Sequence, residues 1–369
     1  MEAIRTQPKD GILSWEFMLM GGASIIVCLA CWAFTDKSAS VLTMSQLAFA
    51  LAFVMNHPHF LSSYVLLYKD FRKNIFTKPK YFWAGVVSPV LLAGYLIYCL
   101  VAGNGAWMGQ AVNAMFFLVG WHYVKQIFGC VIVTSVRRKI FYSVWERRLM
   151  LFNLFAIWAV SWLRSQVGHQ SFQFYGITYF GLDLPRLLQP LSLWVVGLSG
   201  LAVVYMLIRK FIADGSKPSM PGLAALGALY VWYLPAFDHP SFAYLIPFFH
   251  SLQYLVFVWS FKKNQVAAEA NKHKGRDQRE IWVRDFIGYA VGVTILGALS
   301  FEFVPNALDA QNWIHNPSLG TAPILSAVLL FINIHHYFID NAIWKSNNDE
   351  MKKYLFAEPK LESVQSRSA

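Results

Sequence analysis

The chain has 369 residues, of which 56% are hydrophobic and only 14% charged, and its mean hydropathy is +0.42. These values exclude an ordinary soluble globular domain and indicate a polytopic membrane protein, for which the lipid bilayer is the first partner. The net charge of +11 does not indicate nucleic-acid binding, because the basic residues stand at the ends of apolar segments, where they anchor and orient membrane helices.

Ten apolar segments, most of them near the roughly 20 residues that a bilayer requires, predict an all-α transmembrane bundle of about ten spans. No connection is long enough for a second domain, so we expect residues 1–369 to form a single bundle. The predicted spans are Leu13 to Phe34, Val41 to Tyr68, Phe82 to Gly103, Trp107 to Val136, Leu149 to Gln166, Leu188 to Ile208, Met220 to Ala236, Ser241 to Phe261, Phe286 to Val304, and Thr321 to Trp344.

The basic residues predict the orientation of this bundle. Of the 31 lysines and arginines, 27 fall in the two terminal segments and in alternate connections, against three on the opposite side and one within a span. Because basic residues favour the cytoplasmic side, both termini are predicted to be cytoplasmic. The cytoplasmic parts are then the N-terminus 1–12, a basic loop 262–285 and the C-terminal tail 345–369, and we expect an integral protein of a bacterial inner (plasma) membrane.

Six histidines fall in four of the predicted spans, and all four spans run in the same direction. The last histidine of each span lies 9 to 15 residues before the first basic residue that follows the end of that span, so the six are predicted to share a depth. Imidazole is costly to bury in hydrocarbon without partners, so this layer predicts a common ligand, of which a metal ion is the best candidate. The six candidate metal ligands are His57, His59, His122, His250, His335 and His336.

Polar residues one helical turn from these histidines extend the candidate site. Asp340 follows His336 at i+4, a pair typical of ligation or of bracing, and Gln126 and Tyr254 stand at i+4 from His122 and His250. Lys125 lies within a span, where it could carry a Schiff base, anchor an anion or form an ion pair with Asp340. These four residues are the candidate catalytic residues.

The donor set restricts the metal. Nitrogen-rich ligation with one carboxylate and no usable thiolate suits iron, copper or zinc better than magnesium or calcium. A carboxylate-bridged di-iron site of the Glu-x-x-His type is disfavoured, because Asp340 is the only carboxylate well inside a span. No nucleotide-binding or P-loop motif occurs, so any reductant has to come from elsewhere.

Two family resemblances point in the same direction. Histidines on several spans, with a pair such as His335-His336, resemble the membrane fatty acid desaturase and hydroxylase superfamily. The stretch Phe248-Phe249-His250-Ser251 and the single histidines on other spans resemble the bacterial Brp/Blh-type β-carotene dioxygenases, polytopic enzymes that cleave carotenoids to retinal with iron. This second resemblance implies that His57 or His59, His122, His250, and His335 or His336 hold the metal.

The leading hypothesis is an integral-membrane, iron-dependent oxygenase acting on a hydrophobic substrate such as a carotenoid or lipid. A dioxygenase needs no external electrons, whereas a monooxygenase or desaturase would need a separate electron donor. The alternatives are a b-type haem protein with axial histidines, a metal or proton transporter lined by histidines, and a bundle in which histidines only hydrogen-bond between helices.

The orientation can be tested with reporter fusions on the two sides of the third predicted span. A reporter at Asn104 is expected to lie outside and a reporter at Asn74 in the cytoplasm, because basic residues cluster around Asn74. Alkaline phosphatase and green fluorescent protein fusions at each position measure this directly. The same compartment for both positions would contradict the predicted topology.

Overall fold

The computed structural model describes residues 14–34, 41–69, 71–234, 240–272, 283–344 and 348–355. The predicted N-terminal segment 1–12 lies outside the described residues. So do residues 273–282 of the predicted basic loop and, except for residues 348–355, the predicted C-terminal tail.

The described part of the chain is mostly helical, with one short β-hairpin. The longer helices are α1 (Trp15–Phe34), α2 (Val41–Val54), α3 (Asn56–Tyr68), α4 (Pro79–Val101), α5 (Gly105–Arg137), α6 (Val144–Gln166), α7 (Leu188–Asp214), α8 (Met220–Tyr233), α9 (Ile246–Lys272), α10 (Val283–Asp309) and α11 (Pro323–Ile343). The hairpin pairs β1 (Ser171–Phe174) with β2 (Ile177–Phe180) in antiparallel register, and single helical turns lie at Phe71–Asn74, Pro240–Ala243 and Asp349–Leu355.

The prediction of a helical membrane bundle is confirmed in its general form, but the number of ten spans is wrong. Among the described residues, six helices are long and apolar enough to cross a membrane. They are Trp15–Phe34, Pro79–Val101, Gly105–Arg137, Leu188–Asp214, Val283–Asp309 and Pro317–Ile343, the last of which contains α11.

The other four predicted spans fail for identifiable reasons. The second breaks at Met55 into helices of 14 and 13 residues, and the seventh, α8, has only 14 residues. In the fifth and eighth, α6 and α9, charged residues shorten the apolar stretch to less than the roughly 20 residues that a straight crossing needs. Apolar composition alone therefore overstated the number of crossings.

The break at Met55 positions the first histidines of the chain. Pro58 lies in the first turn of α3, where backbone N–H groups have no intrahelical acceptor and the missing proton of proline is tolerated. The new helix begins at Asn56, so His57 and His59 both lie in its first turn and are both buried. They point to different sides of α3, because two residues correspond to about 200° of helical rotation.

Irregular turns occur where three of the helices pack against histidine-bearing neighbours. Trp83–Val87 in α4 and Leu299–Phe303 in α10 are wide π-helical turns, and α1 is kinked within Met18–Gly22, where Gly21 has non-helical dihedral angles. The irregular turns make carbonyl oxygens accessible to side chains: the Met20 oxygen accepts a hydrogen bond from Gln253, and the Ala84 oxygen accepts one from His335.

The β-hairpin, which lies in the connection predicted to be outside, packs against α5 and the end of α6. Asn113 of α5 donates from Nδ2 to the Phe180 carbonyl at 3.0 Å, and Gln166 donates to Asn113 Oδ1 at 3.1 Å. Gly109 of α5 lies directly against the backbone of Thr178, so a Cβ at this position would meet the carbonyl oxygen at 2.6 Å. These contacts fix α5, which carries His122.

Candidate metal centre

Four helices each bring one histidine to a common point in the interior. His59 comes from α3, His122 from α5, His250 from α9 and His336 from α11. All four side chains are buried, with relative exposures of 5% or less. The prediction that histidines from several predicted spans converge is therefore confirmed for these four.

The four imidazoles are close enough to share one ion. One nitrogen from each ring lies within 4.8 Å of the corresponding nitrogens of the other three. An ion about 2.0–2.1 Å from each of two nitrogens holds them at most about 4.2 Å apart. Donors that are not on opposite sides of an ion are closer still, so binding requires the four rings to move toward one another from the separations seen here.

A carboxylate oxygen lies beside two of these histidines, outside the group of four. Asp340 Oδ2 lies 4.0 Å from His59 Nε2 and 3.8 Å from His122 Nε2. Both distances exceed the 2.7–3.2 Å of an N–H···O hydrogen bond. The carboxylate thus faces the two rings without bonding to them, which leaves room for an ion between them.

The atoms that face this point are buried and have no hydrogen-bond partner among the described residues. Buried side chains that carry polar atoms almost always pair them, because an unpaired polar group costs about 1–3 kcal/mol. Several unpaired atoms at one place therefore fit a bound cation. They are His59 Nε2, His122 Nε2, one ring nitrogen of His250, His336 Nε2 and Asp340 Oδ2, and the second nitrogen of His250 is likewise without a partner.

Hydrogen bonds on the far side of two rings orient them toward the centre. His336 Nδ1 lies 3.2 Å from the Ile332 carbonyl, which can only accept, so Nδ1 carries the proton and Nε2 keeps a free lone pair. His59 Nδ1 lies 2.8 Å from Ser251 Oγ, an arrangement that leaves its Nε2 toward the centre. Such outer hydrogen bonds fix the ring orientation of metal-binding histidines.

The other oxygen of Asp340 is held by a small network. Ser63 Oγ donates to Asp340 Oδ1 at 2.8 Å and Tyr254 OH donates to it at 3.0 Å, and the two hydroxyl oxygens are 2.7 Å apart. Trp344 Nε1 donates to the Tyr254 oxygen at 3.0 Å. With Oδ1 occupied in this way, Oδ2 is the oxygen left for an ion.

Three buried tyrosine rings contact the four histidines, and Tyr337 contacts two of them, His122 and, at 4.2 Å between ring centroids, His336. Tyr254 stacks on His59 with ring centroids 4.1 Å apart, and Tyr123 stacks on His250 at 4.0 Å. Tyr337 stacks on His122 at 4.7 Å. The exposures of these tyrosines are 6% or less, so their rings exclude solvent from the centre.

Two of the six predicted metal ligands lie outside the group. His335 points to the opposite side of α11, where Nδ1 lies 2.8 Å from Tyr64 OH and Nε2 lies 2.8 Å from the Ala84 carbonyl. Both of its nitrogens are therefore engaged. His57 packs its ring against Phe53 and Phe301, and its buried Nδ1 has no partner among the described residues.

Of the predicted catalytic residues, Asp340 and Tyr254 lie at the centre, and Gln126 lies beside it. Gln126 Nε2 donates to the His250 carbonyl at 2.8 Å and to Gln253 Oε1 at 3.2 Å, so it holds α9 against α5. Lys125 is exposed and lies over the ring of Phe155 at 5.4 Å, and it forms no ion pair with Asp340 in the described part of the chain. The expected roles of these residues in catalysis stay predictions.

Sequence reasoning missed several neighbours of the centre, above all Ser63 and Ser251. Ser63 stands at i+4 from His59, the same spacing that singled out Asp340 and Tyr254, so the rule could have found it. Ser251 could not be found in this way, because its contact with His59 joins α9 to α3 across 192 residues.

Comparisons with known proteins do not assign the chain to a family. No family model matches the chain, and no significant match was found among the curated proteins or among the solved structures. The functional assignment therefore rests on the geometry of the four histidines and Asp340.

Adjacent histidines on α11 provide a matched test of the centre. His336→Gln is expected to lower bound metal about tenfold or more, because it removes a donor atom, whereas His335→Gln should keep the metal, since its ring bonds only Tyr64 and Ala84. Metal content of the purified variants by mass spectrometry measures the difference. Equal loss in both, or in neither, would argue against the four-histidine centre.

A second test concerns the network around Asp340. Asp340→Asn keeps the shape of the side chain but removes its charge, and we expect metal affinity to fall about 10- to 100-fold.

Ser63→Ala is expected to weaken metal binding about tenfold, because one hydrogen bond to Asp340 Oδ1 is lost. Ser62→Ala is the control, since Ser62 Oγ is also buried but bonds no described residue. Competition with a chromophoric chelator measures each affinity, and equal values for the two serine variants would remove Ser63 from the site.

Proposed function

We propose that the protein is an integral-membrane, iron-dependent oxygenase that acts on a hydrophobic substrate, of carotenoid or lipid-like chemistry. The observation that carries this proposal is the convergence of four buried histidines and Asp340 Oδ2 with no hydrogen-bond partner on the atoms that face the centre. Such a donor set inside an apolar bundle fits a metal ion that reacts with lipid-soluble molecules.

The donor set supports iron among the candidate metals. Imidazole nitrogens suit iron, copper and zinc alike, so nitrogen donors alone do not distinguish them. Structural zinc sites are closed and four-coordinate, whereas iron accepts up to six donors, so the four histidines, with or without Asp340, would leave it able to bind a further molecule. A free position is what the binding of O2 requires.

Haem suits this geometry less well. A b-type haem lies between two axial histidines on opposite faces of a flat ring. Here four imidazole nitrogens and a carboxylate oxygen lie around one point, with the histidine nitrogens within 4.8 Å of one another. The plane that a porphyrin would occupy is filled by the other two imidazoles, so a single ion fits better.

In the proposed reaction the residues of this chain bind and orient the reactants. His59, His122, His250 and His336 would hold iron, with Asp340 supplying a negative charge, and iron bound there supplies the binding and activation of O2. Ser63 and Tyr254 hold the Asp340 carboxylate by hydrogen bonds to Oδ1. The tyrosine rings around the histidines exclude water, which protects a reactive site from side reactions.

The membrane setting supports a hydrophobic substrate and a dioxygenase. The six apolar helices indicate an integral membrane protein, and two of them carry His122 and His336 of the candidate site. A dioxygenase places both oxygen atoms in its products and needs no separate electron donor. The pattern of basic residues supports cytoplasmic termini, and the resemblance to bacterial enzymes supports the inner membrane of a bacterium.

The test is metal analysis and oxygen consumption of the protein purified in detergent. We expect about one iron per chain, no Soret band, and O2 uptake when a carotenoid is added, with loss of uptake in His250→Ala. Phe152→Leu is the control variant, because Phe152 is 56% exposed on α6 and does not belong to the four-histidine group, and it should retain both iron and uptake. Stoichiometric haem, or bound metal without O2 uptake on any hydrophobic substrate, would contradict the proposal.

A further inference from the structure

Among the described residues, one aromatic ring that contacts the four histidines is partly exposed to solvent or lipid. The tyrosine rings at positions 123, 254 and 337 are buried, but Phe60 of α3, which lies 4.6 Å from His336 and 5.3 Å from His59 between ring centroids, is half-buried among the described residues. Any molecule that enters from the bilayer therefore meets the least protected side of the centre at Phe60.

A row of aromatic side chains leads away from Phe60 toward the lipid-facing surface. Phe60 contacts Phe301 at 6.1 Å, Phe301 contacts His57 at 6.1 Å, and His57 contacts Phe53 at 4.9 Å between ring centroids. Phe53 in turn lies 5.8 Å from Phe303, which is 57% exposed. These rings lie between α3 with the end of α2 on one side and α10 on the other.

The part of α10 that contributes rings to this row is a π-helical turn. Phe301 and Phe303 belong to the turn Leu299–Phe303, and π-helical turns inside α-helices occur frequently at functional sites. One turn earlier on α10, Gly297 packs directly against the backbone of His57, so the two helices touch on one side of the aromatic row. The aromatic row therefore lies next to a tight helix contact at Gly297 and an irregular stretch of α10 at Phe301.

His57 supplies the polar atom in this apolar surface. Its side chain is 5% exposed, and Nδ1 is buried without a partner in the described part of the chain. Because a buried unpaired nitrogen is unfavourable, a ligand that offered a hydroxyl or carbonyl oxygen at this position would gain from bonding it. Flat conjugated hydrocarbon suits the remaining wall, since aromatic rings pack well against other π-systems.

We propose that the aromatic row between α3 and α10 is the lateral entrance through which the substrate reaches the centre, with Phe60 as the ring that moves aside. This inference rests on the proposed function and names its substrate class: an elongated, conjugated hydrocarbon with an oxygen at one end. The hydrocarbon lies along the phenylalanine rings, and the terminal oxygen bonds His57. His57 is then a residue for substrate specificity and not a metal ligand.

The experiment compares two carotenoids that differ in terminal hydroxyl groups, zeaxanthin and β-carotene. Binding to the full-length, iron-containing protein in lipid nanodiscs is followed by the absorption shift of the carotenoid, under argon so that no oxygen-dependent reaction consumes it. We expect zeaxanthin to bind about three- to tenfold more tightly, the effect of one hydrogen bond. His57→Phe should abolish this preference, and His57→Gln should retain it.

The role of Phe60 is tested in the same assay. Phe60→Trp should weaken the binding of both carotenoids about tenfold, because the larger ring overfills the entrance. Phe152→Trp is the control, since Phe152 is 56% exposed on α6 and takes no part in the aromatic row. Should Phe60→Trp fail to fold, Phe60→Leu is expected to speed association instead, because it opens the entrance.

The outcomes separate this inference from the oxygenase proposal. Iron content is measured for every variant, and each is expected to match the wild type, because neither His57 nor Phe60 belongs to the four-histidine group. A hydroxyl preference that depends on His57, without any O2 uptake by the wild type, would support the entrance and contradict the oxygenase. Equal binding of both carotenoids to the wild type and all variants would overturn the entrance.

Discussion

The burial of four imidazoles and a carboxylate at one point is the constraint on which the rest of the structure depends. Each of these groups is unfavourable in an apolar interior unless its polar atoms are paired. The atoms that face the centre are unpaired among the described residues, whereas Nδ1 of His59, Nδ1 of His336 and Oδ1 of Asp340 are bonded. Hydrogen-bonded atoms on the outer side and unpaired donor atoms on the inner side are what a cation in the centre requires.

The surrounding helices are adapted to this constraint. His335 and His336 are neighbours on α11, yet one has both nitrogens bonded to Tyr64 and Ala84 while the other keeps Nε2 toward the centre. The acceptor at Ala84 lies in a π-helical turn of α4. The irregular turn of α4 therefore supplies a hydrogen-bond acceptor to His335, a histidine outside the candidate metal group.

The aromatic rings around the centre differ in how far they are exposed. Buried tyrosines contact all four histidines, and the half-buried Phe60 contacts His59 and His336. The difference in burial between the tyrosines and Phe60 makes the side of the centre at Phe60 the less covered one, and Phe60 contacts Phe301 of α10. This is the observation from which the entrance is proposed.

The sequence by itself determined the helical membrane class, the predicted set of six histidines and the i+4 partners Asp340 and Tyr254, because hydropathy and helical spacing are local properties. It overstated the spans, because the second predicted span breaks at Met55 and charged residues shorten the apolar stretches of α6 and α9. Only the tertiary structure separated His59 from His57 and His336 from His335. Which side of a helix faces the centre is decided by contacts between segments distant in the chain, such as that of Ser251 with His59, and no local pattern records them.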